Sequence, residues 1–219
     1  MKQFQAVIFD MDGVIVNSEP LHERAFREVF GEIGHSRDHG IDFPAYYGKS
    51  DLVVWLDFIA RHNPSQPLQE LLARKEQKFV ALLQREDSIF KGVPGLLERM
   101  SARYPIALAS GSRHTTINAV LGLGELRRAF LAVVSSEDVA RGKPAPDIFL
   151  RAAHLLNIPP DDCCVIEDSP AGVEAALSAG MEVIAITNSF PPEKLSRATR
   201  VVGTYHDIER SLLRPPRTG

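Results

Sequence analysis

The chain reads as an α/β protein, a doubly wound parallel sheet interrupted by an inserted α-helical unit. Three observations predict this. Short unbroken apolar runs recur at 6–9, 106–109, 132–134, 163–166, 183–186 and 201–202, and such runs suit strands buried on both faces. From Val93 onward the runs alternate with helix-periodic segments, the pattern that lays helices on both faces of a parallel sheet. Between the first run and the others lies a stretch of apolar-periodic helices that contains no strand.

The first strand, Ala6-Val7-Ile8-Phe9, leads into Asp10-Met11-Asp12-Gly13-Val14. Asp10 is therefore expected where the strand leaves the sheet, at the carboxyl edge where open α/β sheets bind ligands. Leu21, Ala25, Phe26 and Val29 give helical spacing over Pro20 to Ile33, and Leu52 to Ala60 and Leu68 to Leu83 repeat it. These helices predict an inserted domain over 18–90, hinged near Asn17 and Lys91-Gly92, within a core domain of 1–17 and 91–219.

In the core domain, the strand Ile106 to Ala109 ends in Ser110-Gly111-Ser112-Arg113. After Ala132 to Val134, the segment Arg141-Gly142-Lys143-Pro144-Ala145-Pro146-Asp147 sets a lysine in a proline-bounded loop before a helix. Cys163 to Ile166 runs into Glu167-Asp168, and Ser169-Pro170 then opens a helix with a capping serine and a proline at its first position. Val183 to Ile186 and Val201-Val202 complete the sheet.

A chain of 219 residues buries one good core plus a small accessory domain. Its net charge of -3, mixed in sign and without a basic run, argues against nucleic acid and against an anionic membrane surface as partners. No apolar stretch approaches spanning length and no charged leader precedes the first strand, so a cytoplasmic, soluble protein is expected; the oligomeric state is not written in the sequence, and a monomer is the default expectation. Cys163 and Cys164 are adjacent and point to opposite faces of their strand, which predicts two free core thiols and no zinc site. The histidines in and near His35-Ser36-Arg37-Asp38-His39-Gly40 invite a metal reading, but the segment lacks flanking order and reads as a solvated loop between helices, so no metal is expected there.

Taken alone, Asp10-Met11-Asp12-Gly13 is compatible with a solvated turn. The second acidic pair at the end of a second buried strand changes the reading. If the two strands are neighbours, up to four carboxylates converge on one spot, which costs stability unless a cation occupies the gap. A divalent metal and a phosphate-bearing substrate follow as the expected occupants. Ser110 then supplies a hydroxyl and Gly111 an unencumbered N–H for phosphate oxygens, with Ser112 beside them. Lys143 supplies a cation, although a lone lysine is ordinarily a solvated surface residue.

The four motifs in this order, Asp10-Met11-Asp12-Gly13-Val14, Ser110, Lys143 within Gly-Lys-Pro-Ala-Pro-Asp and Glu167-Asp168 within Val-Ile-Glu-Asp-Ser, resemble those of the haloacid dehalogenase superfamily, in its phosphatase and β-phosphoglucomutase-like branch. Asn17-Ser18-Glu19-Pro20-Leu21-His22 is similar to that branch's entry into its cap. The resemblance implies a Rossmann-like core with strand order 5-4-1-2-3, extended at one edge near Val201, and a small helical cap that closes over the site. It implies Mg2+ held by Asp10, the backbone carbonyl of Asp12, Glu167 and Asp168. Asp10 would be the nucleophile that forms an aspartyl-phosphate, Asp12 the general acid and base, and Ser110, Gly111, Ser112 and Lys143 the phosphoryl-binding set. His22 and Lys49 would meet the substrate from the cap.

Two positions depart from the branch. In the phosphoglucomutases an arginine follows the cap loop's Gly-x-Ser to grip a second phosphate, whereas Asp51 stands here, and Asn17 replaces a frequent aspartate. The expected function is a Mg2+-dependent phosphatase of a small phosphorylated metabolite, a sugar or polyol phosphate. The alternatives are a β-phosphoglucomutase-like phosphotransferase and a phosphate-binding regulatory module without turnover.

Overall fold

The structure, a computed structural model, describes residues 4–47 and 50–213, so Lys49 lies outside the described residues. The chain divides into two compact units, 1–16 with 89–219, and 17–88.

In the first unit, six strands form one parallel sheet: β1 (Ala6–Phe9), β2 (Ile106–Ala109), β3 (Ala132–Val134), β4 (Cys163–Glu167), β5 (Glu182–Ile186) and β6 (Arg200–Val202). Their spatial order is β3-β2-β1-β4-β5-β6, the expected 5-4-1-2-3 order with β6 added at the edge. The register pairs Phe9 with both Leu108 and Ile166. The three strands therefore end within one residue of one another, and Asp10 and Ser110, which follow β1 and β2, emerge along the same sheet edge as Glu167, which ends β4, and Asp168 after it.

Side-chain alternation divides the core. Ala6, Ile8, Ala107, Ala109, Cys163, Val165, Val183 and Ala185 all lie on the face that packs with Ile148, Phe149, Ala152, Val173 and Ala176. These belong to helices α6 (Asp147–Leu156) and α7 (Pro170–Ser178). So many alanines on both partners let helix and sheet backbones approach closely. Helices α4 (Val93–Ser101), α5 (His114–Gly122) and α8 (Tyr205–Leu212) complete the unit, and α8 packs against both α4 and β5. Cys163 and Cys164 are buried free thiols, as expected.

The second unit holds α1 (Glu19–Glu32), α2 (Asp51–His62) and α3 (Leu68–Leu83). Its core is aromatic: Phe26, Phe30, Phe43, Trp55 and Phe58 cluster with Val29, Val54 and Leu71. The expectation of a solvated loop after α1 needs correction at one residue. His39 is buried, stacks on Phe30 with ring centroids 5.1 Å apart, and its Nδ1 accepts a hydrogen bond from the Ile41 N–H at 3.1 Å. An aromatic core in so small a unit has a wide rim, and a planar imidazole with its own local partner closes it. Among the described residues no helix is long and apolar enough to cross a membrane.

Candidate active site

The turn after β1 is built to hold two acids at the sheet edge. The Asp10 N–H donates to Ile166 O at 2.9 Å, which continues the β1–β4 pairing one step past the strand. The Met11 carbonyl then gathers the N–H groups of Val14, Ile15 and Val16, and Gly13 takes φ +75°, a conformation that glycine adopts without strain. Gly13 has a second reason to be glycine: a Cβ there would stand 1.8 Å from Asp168 Oδ2 and 2.6 Å from Ser189 Oγ.

Lys143 ties the first acid to the second pair. Its Nζ donates to Asp10 Oδ1 at 2.5 Å and to Glu167 Oε1 at 2.6 Å, with the Phe149 ring 4.9 Å beneath it. Of the Lys143 side chain 13% is exposed, against 7% for Asp10 and none for Glu167, so these charges interact with little solvent screening. Lys143 is thus no solvated surface lysine.

Glu167 Oε2 accepts from Asp168 N and Ser169 N, both at 2.8 Å, and from Ser169 Oγ at 3.0 Å. The turn into α7 therefore stabilises this carboxylate through the backbone N–H groups of Asp168 and of the cap residue Ser169, at the positive end of the helix. Ser169 caps the same helix by accepting from Gly172 N at 3.1 Å. Gly172 in turn leaves the space that Glu167 fills, because a Cβ there would stand 1.7 Å from Glu167 Oε1.

On the β2 side, Asp12 Oδ2 accepts from Ser112 Oγ at 2.9 Å and from Ser110 Oγ at 3.4 Å, while Ser110 Oγ accepts from Ser112 N at 3.0 Å. Ser110 is fully buried, and Gly111 beside it is exposed. Two hydrogen-bonded groups therefore stand at one sheet edge, Asp10 with Lys143, Glu167 and the Asp168 N–H, and Asp12 with Ser110 and Ser112, with Gly111 flanked by the two serines. Asp12 holds the serine pair on one side, and Asp10 and Glu167 share the lysine on the other.

Asp10, Glu167 and Asp168 offer carboxylate oxygens that all lie within 4.8 Å of one another. Burial raises the Asp10 carboxyl to about 8, with Glu167 and Asp12 adding to the rise and Lys143 opposing it. Asp168 is raised well above the usual carboxylate range by burial, then by Glu167 and Asp10. For Lys143, burial alone would lower the ammonium's pKa, but Asp10 and Glu167 outweigh it and hold the group above its ordinary range. Asp168 Oδ2 is buried without a hydrogen-bond partner, which is costly for a carboxylate oxygen. Three crowded acids against one lysine, with an unmatched oxygen among them, are the donor set that a hard divalent cation fits. Glu167 Oε2 is saturated by its three donors, so this residue has only Oε1 left to offer a cation.

A pH prediction follows from these raised values. The folded state holds protons that the unfolded chain has released, so the contribution of Asp10 and Asp168 to stability is full below about pH 4 and is lost as pH climbs through their folded values. The metal-free protein should melt at a lower temperature at about pH 8 than at about pH 6, and Asp168→Asn should flatten that slope. A wild-type melting temperature that rises across this window, with the variant running parallel, would contradict the assignment.

A second prediction concerns the turn. Gly13→Ala places an alanine at positive φ and displaces Asp168, so divalent-cation affinity measured calorimetrically should fall by at least about tenfold. Gly111→Ala, whose added methyl meets nothing within 4 Å, should leave that affinity unchanged.

Several site residues escape a reading of motifs. Asn188 Nδ2 donates to Gly13 O at 2.7 Å and to Tyr205 Oη at 2.9 Å, and Tyr205 Oη donates to Val14 O at 2.8 Å. Together they hold the acid-bearing turn from the ends of β5 and β6. Their position beyond strand ends at the binding edge was the available signal.

In the second unit, His22 and Asp51 converge on Lys75. Lys75 is 1% exposed, donates to Asp51 Oδ2 at 2.7 Å, pairs with His22 Nδ1, and lies 4.9 Å from the Phe26 and Phe79 rings. His22 also stacks on Phe79 at 3.9 Å. Lys75 falls in the apolar stripe Leu71, Phe79 and Leu82 of α3. A charged residue on a buried helix face was the missed clue.

A haloacid dehalogenase-like hydrolase family model matches residues 4–180. The chain belongs to that family. It is an enzyme, a haloacid dehalogenase-type hydrolase, and relatives named as phosphatases support a phosphoric monoester hydrolase. Fructose-1-phosphate phosphatase YqaB of Escherichia coli is 31% identical over 185 residues, covering 84% of this chain and 96% of its own. β-Phosphoglucomutase of Bacillus subtilis is 30% identical, with 95% of this chain and 93% of its own covered. Among solved structures, CbbY of Rhodobacter sphaeroides in complex with phosphate superimposes with a TM-score of 0.80 at 25% identity, covering 94% of this chain and 96% of that one.

Proposed function

We propose that this family member is a Mg2+-dependent phosphatase that hydrolyses a sugar or polyol phosphate through a phosphorylated Asp10. The observation that carries the reading is the linkage of Asp10 to Lys143 and Glu167 on one side, with Asp12 tethered to Ser110 and Ser112 on the other. Asp10, Asp168, Glu167 Oε1 and the Asp12 carbonyl would hold the cation. When bound it neutralises charge on the phosphoryl group and on the crowded acids.

An Asp10 carboxylate oxygen attacks phosphorus as the ester P–O bond breaks, and the resulting acyl phosphate splits one difficult displacement into two easier ones. Asp12 gives its proton to the departing alkoxide. In the second step water attacks phosphorus, Asp12 takes the water's proton, and the Asp10 carboxylate leaves. Ser110, Ser112, the Gly111 N–H and the Lys143 ammonium hold the phosphoryl oxygens and stabilise negative charge during both displacements. Lys143 also fixes the orientation of Asp10, with Glu167 fixing Lys143.

The sugar or polyol class is favoured by the likeness to fructose-1-phosphate phosphatase. The likeness to β-phosphoglucomutase favours a second reading, a phosphotransferase. Against it, Asp51 is ion-paired with Lys75, so a carboxylate occupies the position at which the mutases carry an arginine. A panel of sugar and polyol phosphates, assayed for inorganic phosphate, separates the two. Phosphate release without a bisphosphate activator is expected; an isomeric sugar phosphate formed only with that activator would favour the mutase.

His22 and Lys49 are proposed to carry substrate selectivity. His22→Ala and Lys49→Ala should each lower kcat/KM for the preferred metabolite by about tenfold or more while leaving acetyl phosphate hydrolysis nearly unchanged. Parallel losses on both substrates would overturn this division of labour.

A further inference from the structure

The 17–88 unit carries a second group of metal-ligating side chains that the phosphatase reading does not use. His35 and Asp38 lie in the loop after α1, and His62 is the last residue of α2. Each offers a ligand atom, and the three atoms lie within 4.8 Å of one another. Unlike the acids of the core unit, this set is two imidazoles and one carboxylate, donors that suit zinc and its first-row neighbours and suit magnesium poorly.

The two rings are held in place. Both pack on Phe58: His35 edge-on at 5.3 Å between centroids and His62 at 4.7 Å. The rings themselves are 4.4 Å apart. His62 Nε2 stands 3.0 Å from the His39 carbonyl oxygen. Only a protonated Nε2 bonds a carbonyl, which leaves the Nδ1 lone pair of His62 for a metal. Ligating histidines are commonly fixed by this kind of bond from the other ring nitrogen. That carbonyl is itself anchored, because His39 is the buried residue stacked on Phe30.

His35 Nδ1 and Asp38 Oδ1 are 3.3 Å apart. This is long for an N–H···O bond, and it matches the edge of a tetrahedron whose metal bonds are about 2.0–2.1 Å. A cation can replace the proton between these two atoms with little change in their separation. Asp38 is well exposed, with 67% of its side chain open, so it can swing to close the remaining distance to His62.

We infer that His35, Asp38 and His62 form a binding site for a Zn2+-class transition-metal ion, separate from the acidic cluster of the core unit. Three protein ligands leave the fourth tetrahedral position to water. The ion would cross-link the loop after α1 to the end of α2 and stabilise the 17–88 unit.

The test is calorimetric titration of the tag-free full-length protein with Zn2+ in saturating Mg2+, so that the core acids are already occupied. Wild type is expected to bind one more equivalent of Zn2+ than a His35→Ala/His62→Ala double variant, and that equivalent should raise the melting temperature. Asp38→Asn, an exposed change that leaves the fold intact, should weaken the same site by about 10- to 100-fold. Asp168→Asn should leave it in place, which separates this site from the core cluster. Equal Zn2+ stoichiometry and affinity in wild type, Asp38→Asn and the double variant would overturn the inference. So would loss of the extra equivalent in Asp168→Asn alone.

Discussion

Asp10→Asn should abolish turnover, lowering phosphate release by at least about 10⁴-fold, as the removal of a covalent nucleophile does. Asparagine keeps the shape of the side chain and the backbone bond to Ile166, so the fold is expected to persist. What disappears is the nucleophilic carboxylate and the anion that holds one end of Lys143, 2.5 Å away. Steady-state assay of the purified variant, with its melting curve as a check on folding, decides the matter. Hydrolysis within about tenfold of wild type would remove Asp10 from the nucleophile's role.

The second large effect is at Asp12, and it should depend on the leaving group. An alkoxide needs a proton as it departs, whereas an aryl oxide leaves with little help. Asp12→Ala should therefore cost about 10²- to 10⁴-fold on a sugar or polyol phosphate. The loss in the first step, measured as the burst from an aryl phosphate, should be much smaller. The second step should slow for both, because the attacking water also loses its base. Equal losses in the first step for both leaving groups would assign Asp12 a purely positional role, consistent with its bonds to Ser110 and Ser112 but not with proton transfer.

Much of the core unit is legible in the sequence because a parallel sheet buries both faces of each strand. Runs such as Ala6 to Phe9 and Ile106 to Ala109 have no polar residue to blur their ends, and the chemistry begins where the apolar run stops. The acids and serines are local to those ends, so their motifs can be read in one dimension. The glycine at 13 is legible as a turn residue, yet its second constraint, the approach of Asp168, depends on a strand more than 150 residues later. Asn188 and Tyr205 are hidden for the same reason: they bond backbone carbonyls of Gly13 and Val14, and a carbonyl leaves no mark in the sequence at its partner.

The 17–88 unit is less transparent. Its helices follow from apolar spacing, but its polar groups are defined by what they meet. Lys75 looks like one more charged residue of α3 until Asp51, His22 and two phenyl rings surround it. His39 looks solvated in a run of polar residues until Phe30 supplies a stacking partner. Side chains of this kind are placed by tertiary contacts, and neither propensity nor period carries that information.

In the proposed mechanism a phosphoryl group passes through the Asp10 carboxylate. Rapid acid quench of the enzyme during turnover, followed by peptide mass mapping, tests it most directly. The peptide that contains Asp10 should carry one phosphoryl group, in larger amount in Asp12→Ala, where breakdown is slowed, and none should be found in Asp10→Asn. Turnover at a normal rate with no phosphoryl group on Asp10 at any quench time, or with one on another residue, would contradict the claim.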